Sequence, residues 1–261
     1  MTANRESSTI LEADGLELRY SRDVILEDIS FCVSEGSCLV IMGSSGCGKS
    51  TLLKSMTGLL KPASGNVKFR NGLLWSKREI PNDNVLSNFG VLFQTGALWS
   101  SMNLMENISL PLETFSSLDK NEIESVVSYK LDLVGLSGCE YLYPSQLSGG
   151  MQKRAGLARA LSLDPSILFL DEPSAGLDPL NSRKLDELIV ELKESLGLTF
   201  VVVTHELDSI FEIADDSIYL SSSSKTILDK GNPRELLQSS ANPEVINFLS
   251  RGGRHDGPLD L

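Results

Sequence analysis

The sequence predicts an α/β fold in which a mainly parallel β-sheet is covered on both faces. Several strand-length segments, such as residues 38–42 and 200–203, are almost continuously apolar, which is typical of strands buried on both sides. A glycine-rich loop joins one of these segments to a helix-like one. Between residues 94 and 162 the pattern becomes helical without a strong strand signal, which predicts a helical subdomain inserted into the α/β core.

The predicted strands place the glycine-rich loop early in the fold. Strands are expected at residues 16–20, 29–33, 38–42, 66–70, 89–93, 167–171 and 198–204. One helix is expected to follow the loop, at residues 49–59. Another is expected at residues 179–196, with Asp178 as its cap, Pro179 in its first turn and Gly197 after its end.

The rest of the chain is predicted to be largely helical. The inserted subdomain has helix candidates at residues 103–113, 119–134 and 148–161, and a hairpin turn at residues 221–224 precedes short helices at 233–238 and 243–250. We expect one main domain at residues 15–240, with the helical subdomain at about 95–162, and a C-terminal extension at 241–261.

Composition excludes several classes of function. Of the 261 residues, 35 are acidic and 23 are basic, giving a net charge of −12, which argues against a nucleic-acid partner. The cysteines form no Cys-x-x-Cys pair, so neither a zinc site nor a disulfide framework is expected and a reducing cytosol fits best. No segment approaches the ~20 apolar residues that cross a bilayer, so any membrane role is expected to be peripheral. The four cysteines are Cys32, Cys38, Cys47 and Cys139.

The glycine-rich loop has the Gly-x-x-x-x-Gly-Lys-Ser pattern of a phosphate-binding loop. Its glycines allow backbone N–H groups and the following helix terminus to point at phosphate oxygens. Lys49 would reach the β- and γ-phosphates, and the Ser50 hydroxyl would bind Mg²⁺. A chance glycine turn is the alternative, but the flanking strand and helix favour nucleotide binding. The phosphate loop comprises Gly43, Ser44, Ser45, Gly46, Cys47, Gly48, Lys49, Ser50 and Thr51.

A second chemical motif is the acidic pair after the apolar strand at residues 167–171. Asp171 would hold the Mg²⁺ shell, and Glu172 would polarise the attacking water. Such a pair could instead cap a helix, although Pro173 and the residues after it predict a loop. Cys47 could likewise be an oxidation-sensitive thiol or a small side chain tolerated in the phosphate loop, and the second interpretation is favoured.

Over residues 15–238 the chain resembles the ATP-binding subunits of ABC transporters. The signature segment (residues 147–154) is Leu-Ser-Gly-Gly-Met-Gln-Lys-Arg, and residues 174–178 are similar to the D-loop. Gln94, His205 and Tyr20 correspond to the Q-loop glutamine, the switch histidine and the aromatic residue that stacks on adenine. The resemblance implies ATP and Mg²⁺ as ligands, a helical insert and an antiparallel β subdomain.

The resemblance also assigns roles to these residues. It implies that Gln94 senses Mg²⁺ and the attacking water, and that His205 lies within reach of the γ-phosphate. The signature segment would complete the site of a second copy of the chain, so that two copies enclose ATP. Physically, the residues at the start of the helix offer a hydroxyl and bare amides at a positive helix end; they are Ser148, Gly149 and Gly150.

The signature segment departs from the usual pattern. Met151 stands where the family has glutamine, and Gln152 follows it, so no glutamine contact is carried over. This variant, the loop at residues 93–99 and the tail at 242–249 resemble the ATPases of Mla-type phospholipid transporters. That resemblance implies work at the cytoplasmic face of the inner membrane with a permease, a periplasmic MCE-domain protein and possibly a STAS-domain subunit. The implied cargo is glycerophospholipid moved between the inner and outer membranes to maintain lipid asymmetry.

Several other functions of ABC proteins are alternatives to this one. ABC proteins of DNA repair need a coiled-coil insert or a basic surface, and the chain has neither. A cytosolic cluster-assembly ATPase, a transporter ATPase for another cargo, and a nucleotide-binding module without catalysis remain as alternatives. The apolar segment Ala97-Leu98-Trp99 after Gln94 favours a docking surface for a permease, although a tryptophan there could also be part of the core.

Overall fold

The central β-sheet carries the segments that the sequence singled out. A computed structural model describes residues 8–75 and 80–250. Within these residues, one sheet has six strands in the order β10-β9-β3-β8-β7-β6, all parallel except β10. Its strands are Cys38–Gly43 (β3), Phe89–Leu92 (β6), Ile167–Asp171 (β7), Thr199–Val203 (β8), Asp216–Leu220 (β9) and Ile227–Gly231 (β10).

A second sheet is antiparallel and has the order β2-β1-β4-β5. It confirms the antiparallel subdomain that the resemblance implied, and the central sheet confirms the α/β class. Its strands are Thr9–Tyr20 (β1), Asp23–Ser34 (β2), Ser64–Phe69 (β4) and Gly72–Leu73 (β5).

The helices surround the central sheet. Residues 93–166, all described, contain α3, α4, a short 3-10 turn (Pro144–Gln146) and α5 but no strand, as the helix periodicity predicted. The helices are Lys49–Met56 (α1), Asp83–Leu86 (α2), Leu104–Phe115 (α3), Lys120–Leu133 (α4), Gly149–Ala160 (α5), Pro179–Leu196 (α6), Leu207–Ile213 (α7), Pro233–Ser239 (α8) and Pro243–Leu249 (α9).

Two hydrophobic cores lie on opposite faces of the central sheet. Along β3, Val40 and Met42 join the core shared with α3–α9, whereas Leu39 and Ile41 join the core shared with α1 and the antiparallel sheet. Successive residues of a strand point to opposite faces, so both sets must be apolar. This is the physical reason for the continuous apolar segments.

Local signals set several element ends as predicted. Asp178 caps α6 by accepting hydrogen bonds from Leu180 N and Asn181 N, both at 3.1 Å, and Gly197 ends it at φ +66°. The predicted hairpin joins β9 to β10. Asn103 and Asp119 each cap a helix of the inserted subdomain through a capping box.

Other predicted boundaries were wrong. Strand β1 begins at Thr9, well before residue 16, and β2 begins at Asp23 rather than residue 29. The reason in β1 is a bulge near Gly15, where the register with β2 shifts between Ala13 and Leu16 and the apolar alternation is interrupted. Helix α1 ends at Met56 rather than residue 59, and α2, α7 and β5 had no clear signal. These elements are short, so they offer little periodicity to detect.

The C-terminal helices are part of the core. Val245 and Leu249 of α9 are fully buried, and the ring of Phe248 packs edge-on against Tyr219 of β9. The limits of the domain and of the extension at 241–261 stay predictions, and residues 251–261 lie outside the described part of the chain. Among the described residues no helix combines the length and apolar character needed to cross a membrane.

One buried carboxyl group makes stability depend on pH. Asp186 of α6 is buried, and Ser209 Oγ of α7 donates to its Oδ2 at 2.7 Å. Burial raises the pKa of Asp186 from 3.8 to about 6, against the opposing effect of the Ser209 bond, and nearby carboxylates on or before α7 raise it further. Because the folded state then binds more protons than the unfolded state, stability falls as pH rises from about 4 to about 6.

We expect Asp186→Asn to remove this pH dependence. The unfolding free energy of the wild type should be about 1 kcal/mol lower at pH 8 than at pH 5, whereas that of the variant should not show this decrease. The reason is that pH 5 lies about one unit below the folded pKa of Asp186, and one pKa unit is worth about 1.36 kcal/mol. Denaturant unfolding at both pH values measures the difference. Glu113→Gln, which neutralises an exposed carboxylate on α3, is the control, and an equal pH dependence in wild type and Asp186→Asn would contradict the assignment.

Candidate active site

The phosphate loop lies between the carboxyl end of β3 and the start of α1. Its glycines have φ values that other residues rarely adopt: +148° at Gly43, +79° at Gly46 and +104° at Gly48. A Cβ at Gly48 would come within 2.9 Å of Leu26 Cγ. Gly48 caps α1 without a side chain, so the first N–H groups of the helix are directed into the loop, where an anion is stabilised.

Lys49 holds the loop in shape. Its side chain is buried, and Nζ donates to the carbonyl oxygens of Gly43 at 2.9 Å and Ser44 at 3.1 Å. The ammonium group therefore lies within the arc of the loop, where it can interact with phosphate oxygens. Cys47 is also buried, and burial raises the pKa of its thiol, which favours the small-residue interpretation over an oxidation-sensitive one.

Two oxygen ligands meet beside the loop. Ser50 Oγ of α1 donates to Asp171 Oδ1 at the end of β7, at 3.1 Å. A hydroxyl and a carboxylate are ligands that Mg²⁺ accepts when phosphate and water complete its shell. Among the described residues no group of three or more His, Cys, Asp or Glu side chains could hold a metal ion. Ser50 and Asp171 supply two oxygen ligands, so phosphate and water oxygens would have to complete the shell of an Mg²⁺ ion held there.

Glu172 and His205 form a second pair at the same sheet edge. His205 Nδ1 lies 2.8 Å from Glu172 Oε1. The other carboxylate oxygen, Oε2, is buried and has no hydrogen-bond partner among the described residues, so it can accept a proton from a water molecule. Glu172 has φ +47°, and its N–H donates to Val203 O of β8 at 2.8 Å. Strained backbone of this kind often occurs at functional sites.

Gln94 reaches the same edge through sheet register. Leu92 of β6 pairs with Leu170 of β7, so Gln94 follows β6 beside the acidic pair. Its backbone carbonyl accepts a hydrogen bond from Lys153 Nζ of α5, and the same ammonium donates to Glu172 O at 3.3 Å. The sequence analysis did not single out Lys153, because a basic residue within a helix gives no local sign that it is buried.

The signature segment stands apart from the phosphate loop. Ser148 caps α5 by accepting a hydrogen bond from Met151 N at 3.3 Å, and it is exposed. No hydrogen bond or ion pair among the described residues joins residues 148–150 to the phosphate loop. Gln152 Nε2 donates to Pro144 O at 2.9 Å, and Met151 packs on the core. The substituted glutamine position thus serves packing, and Gln152 fixes the turn before α5.

Tyr20 lies at the tip of the hairpin between β1 and β2. It pairs with Asp23, and its side chain is 45% exposed. The same strand pair contacts the phosphate loop, because a Cβ at Gly48 would lie 3.2 Å from Ile25 Cγ2 of β2. The exposed ring therefore stands on a hairpin that borders the loop, a position compatible with stacking on a base.

Trp99 is on the surface, so the core alternative is wrong. Its side chain is 57% exposed, and its backbone is fixed by the fully buried Asn107 of α3. Asn107 Oδ1 accepts from Trp99 N at 2.7 Å and Nδ2 donates to Trp99 O at 3.1 Å. An exposed indole held by a rigid backbone is a typical anchor for a protein partner.

Comparison with known proteins identifies close relatives. The ABC transporter family model matches residues 26–175. The probable ribonucleotide transport ATP-binding protein mkl of Mycobacterium tuberculosis is 40% identical over 253 residues, 96% of this chain and 68% of mkl. The intermembrane phospholipid transport system ATP-binding protein MlaF of Haemophilus influenzae is 38% identical over 255 residues, 97% of this chain and 94% of MlaF.

Two solved structures have the same fold. CbiO1 from Clostridium perfringens, part of the ABC transporter complex cbiONQ, superposes with a TM-score of 0.79 at 30% identity, covering 94% of this chain and 96% of that one. The ATP-binding cassette MJ0796, solved as a dimer in a post-hydrolysis state with ADP and Pi, gives 0.75 at 28% identity, covering 85% and 98%.

Proposed function

The chain belongs to the ABC transporter family and is an ATPase, and we propose that it is the motor subunit of a complex that moves phospholipid between the inner and outer membranes. The observation that carries the motor role is one loop, residues 93–99, which begins beside the acidic pair and ends at the exposed Trp99. This loop therefore connects the nucleotide site directly to a surface where a partner protein could bind. The cargo is supported by the name of the MlaF relatives.

In the proposed mechanism each side chain at the sheet edge has one task. Lys49 and the loop N–H groups would bind the β- and γ-phosphates, and Ser50 and Asp171 would hold Mg²⁺, which would neutralise charge at the phosphates. Glu172 Oε2 accepts the proton of the attacking water. His205 orients Glu172 through Oε1 and would be within reach of the γ-phosphate. Gln94 contributes to the metal and water positions.

We propose that hydrolysis takes place in a dimer of this chain. Ser148, Gly149 and Gly150 form a helix start, exposed at its first two residues and buried at the third, that is not joined to the phosphate loop of the same chain. A second copy could present this start to the γ-phosphate, since a helix N-terminus stabilises an anion. The dimeric state of MJ0796 with ADP and Pi supports this arrangement. Tyr20 would stack on the adenine from the bordering hairpin.

We further propose that the surface around Ala97, Leu98 and Trp99 binds a membrane permease. The backbone of this surface is held by α5 and α3: Arg159 Nη1 donates to Ala97 O at 2.6 Å, and Asn107 clamps Trp99. A partner pressing on Trp99 would therefore act directly on the loop that contains Gln94.

Trp99→Asp is expected to leave the isolated subunit folded and able to bind ATP but to abolish permease binding and lipid transport. The reason is that an exposed indole contributes little to folding, whereas an interface anchor commonly contributes 2 kcal/mol or more to binding. Melting temperature, nucleotide binding and permease pull-down on one preparation measure these effects.

The matched control for this experiment is Leu196→Asp. Leu196 is also exposed, but it lies at the end of α6, close to the amino end of β8, whereas the nucleotide site is at the carboxyl ends of the strands. Leu196→Asp should therefore keep permease binding. A stable Trp99→Asp protein that still assembles and transports would overturn the proposed surface.

The cargo and the remaining partners need a separate test. We propose an MCE-domain protein and a STAS-domain subunit as further partners, with the chain peripheral at the cytoplasmic face of the inner membrane. Purification of the membrane-extracted complex, followed by mass spectrometry of its proteins and small molecules, should recover glycerophospholipid and an MCE-domain protein. Recovery of ribonucleotide cargo instead, as the name of the mkl relatives says, would overturn the lipid assignment.

A further inference from the structure

Lys153 is a buried cation between two loops of the active site. It is only 6% exposed, and Nζ donates to Gln94 O and to Glu172 O. No carboxylate lies within ion-pair distance of it among the described residues. Burial lowers the pKa of Lys153, while the negative charges of Glu172, Glu206 and Asp171 oppose that shift. A buried lysine costs desolvation energy that an apolar residue of similar length would not.

Helix α5 holds the Gln94 loop at further points. Arg159 Nη2 donates to Gly96 O at 3.2 Å, and Gly156 packs so closely that a Cβ there would lie 3.0 Å from the same oxygen. The loop therefore follows α5. Among these contacts, Lys153 is the one that also reaches the backbone of Glu172.

Glu172 depends on its surroundings for its conformation. At φ +47° its backbone is in the left-handed region, which side-chain-bearing residues adopt only when neighbours fix it. Its N–H donates to Val203 O on β8, and its carbonyl accepts from Lys153 Nζ at 3.3 Å and from Ala175 N at 3.2 Å. Loss of the Lys153 contact would leave only Ala175 N on this carbonyl, so that the Gln94 loop is no longer tied to Glu172 and the carboxylate can move relative to the attacking water.

We propose that Lys153 is a positioning residue that ties the Gln94 loop to the backbone of Glu172, so that the general base is correctly placed only while the loop is docked against α5 and the sheet. The inference rests on the proposed role of Glu172. It gives the chain a direct physical connection between the permease-facing loop and the chemical step, in addition to the side chain of Gln94.

The test replaces Lys153 by methionine, which keeps the length of the side chain and removes its donors. Losing hydrogen bonds from a charged group should lower kcat by about tenfold or more, with KM for ATP changed less than about twofold, because Lys153 touches no phosphate-binding group. Lys153→Arg, which keeps the charge and donors, should recover part of kcat.

Lys130→Met is the matched control. Lys130 of α4 is also a buried lysine, and its Nζ donates to Asp164 Oδ1, which precedes β7 at the end of the sheet away from the nucleotide loops. Lys130→Met should keep kcat, whatever its effect on the melting temperature. If Lys153→Met does not fold, Lys153→Leu, which also has no donor, carries the same measurement.

Three outcomes would overturn the inference. These are a kcat for Lys153→Met equal to that of Lys130→Met, a loss confined to KM, and no recovery of kcat in a folded Lys153→Arg. Glu172→Gln measured in parallel separates the proposed role of Glu172 as general base from the proposed positioning role of Lys153. If Glu172→Gln turns over ATP normally, the role of Glu172 fails. If Glu172→Gln is inactive and Lys153→Met is not, only the positioning role fails.

Discussion

Glu172→Gln is expected to lower ATP turnover by about two to four orders of magnitude, the usual contribution of a positioned general base. The amide keeps the size of the side chain and its place beside His205 Nδ1, which lies 2.8 Å from Oε1, so the fold and ATP binding should persist. What is lost is the ability to take a proton from water. Steady-state hydrolysis and equilibrium binding of ATP to the same protein measure both effects.

A neighbouring carboxylate provides the control for Glu172. Glu206 Oε2 accepts from Ser182 Oγ at 3.2 Å and has no assigned role in the reaction, so Glu206→Gln should keep most of the turnover. If Glu172→Gln cannot bind ATP, Glu172 has a structural role, and if it hydrolyses ATP at the normal rate, another group is the base.

Lys49→Ala is expected to abolish hydrolysis and to weaken nucleotide binding. The variant removes the cation aimed at the phosphates and also the two hydrogen bonds that close the loop on the carbonyls of Gly43 and Ser44. Lys54→Ala, an exposed lysine in the last turn of α1, is the matched control and should leave both properties intact. Near-normal turnover in Lys49→Ala would overturn the site assignment.

The same variant tests the shared site. Ser148→Arg should also be inactive, because it would block the helix start that we propose faces the nucleotide of the second copy. Mixing Lys49→Ala chains with Ser148→Arg chains should restore part of the activity, since one site of the mixed dimer has both halves intact. Heterodimers can be isolated by two affinity tags. If they show no activity, either the site is not shared between two copies or a single intact site is not enough for ATP turnover.

The sequence by itself determined the α/β class, the phosphate loop and the ATP-binding family. Their signals are local: consecutive apolar residues mark β3, β7 and β8, and the loop chemistry is contained in nine successive residues from Gly43 to Thr51. Both ends of α6 were equally predictable, since Asp178 caps its start and Gly197 ends it through the adjacent backbone. The start of β1 was predicted wrongly, because a bulge at Gly15 interrupts the alternation of apolar and polar residues that marks a regular strand.

Only the tertiary structure decided which side chains meet. Ser50 and Asp171 are 121 residues apart, and Glu172 and His205 are 33 apart; the strand order β3-β8-β7 brings each pair together. That order, the exposure of Trp99 and the burial of Lys153 follow from how helices and sheets pack. A lysine within a helix has the same local sequence pattern whether it faces water or two buried carbonyls, so its role was visible only once the surrounding loops were in place.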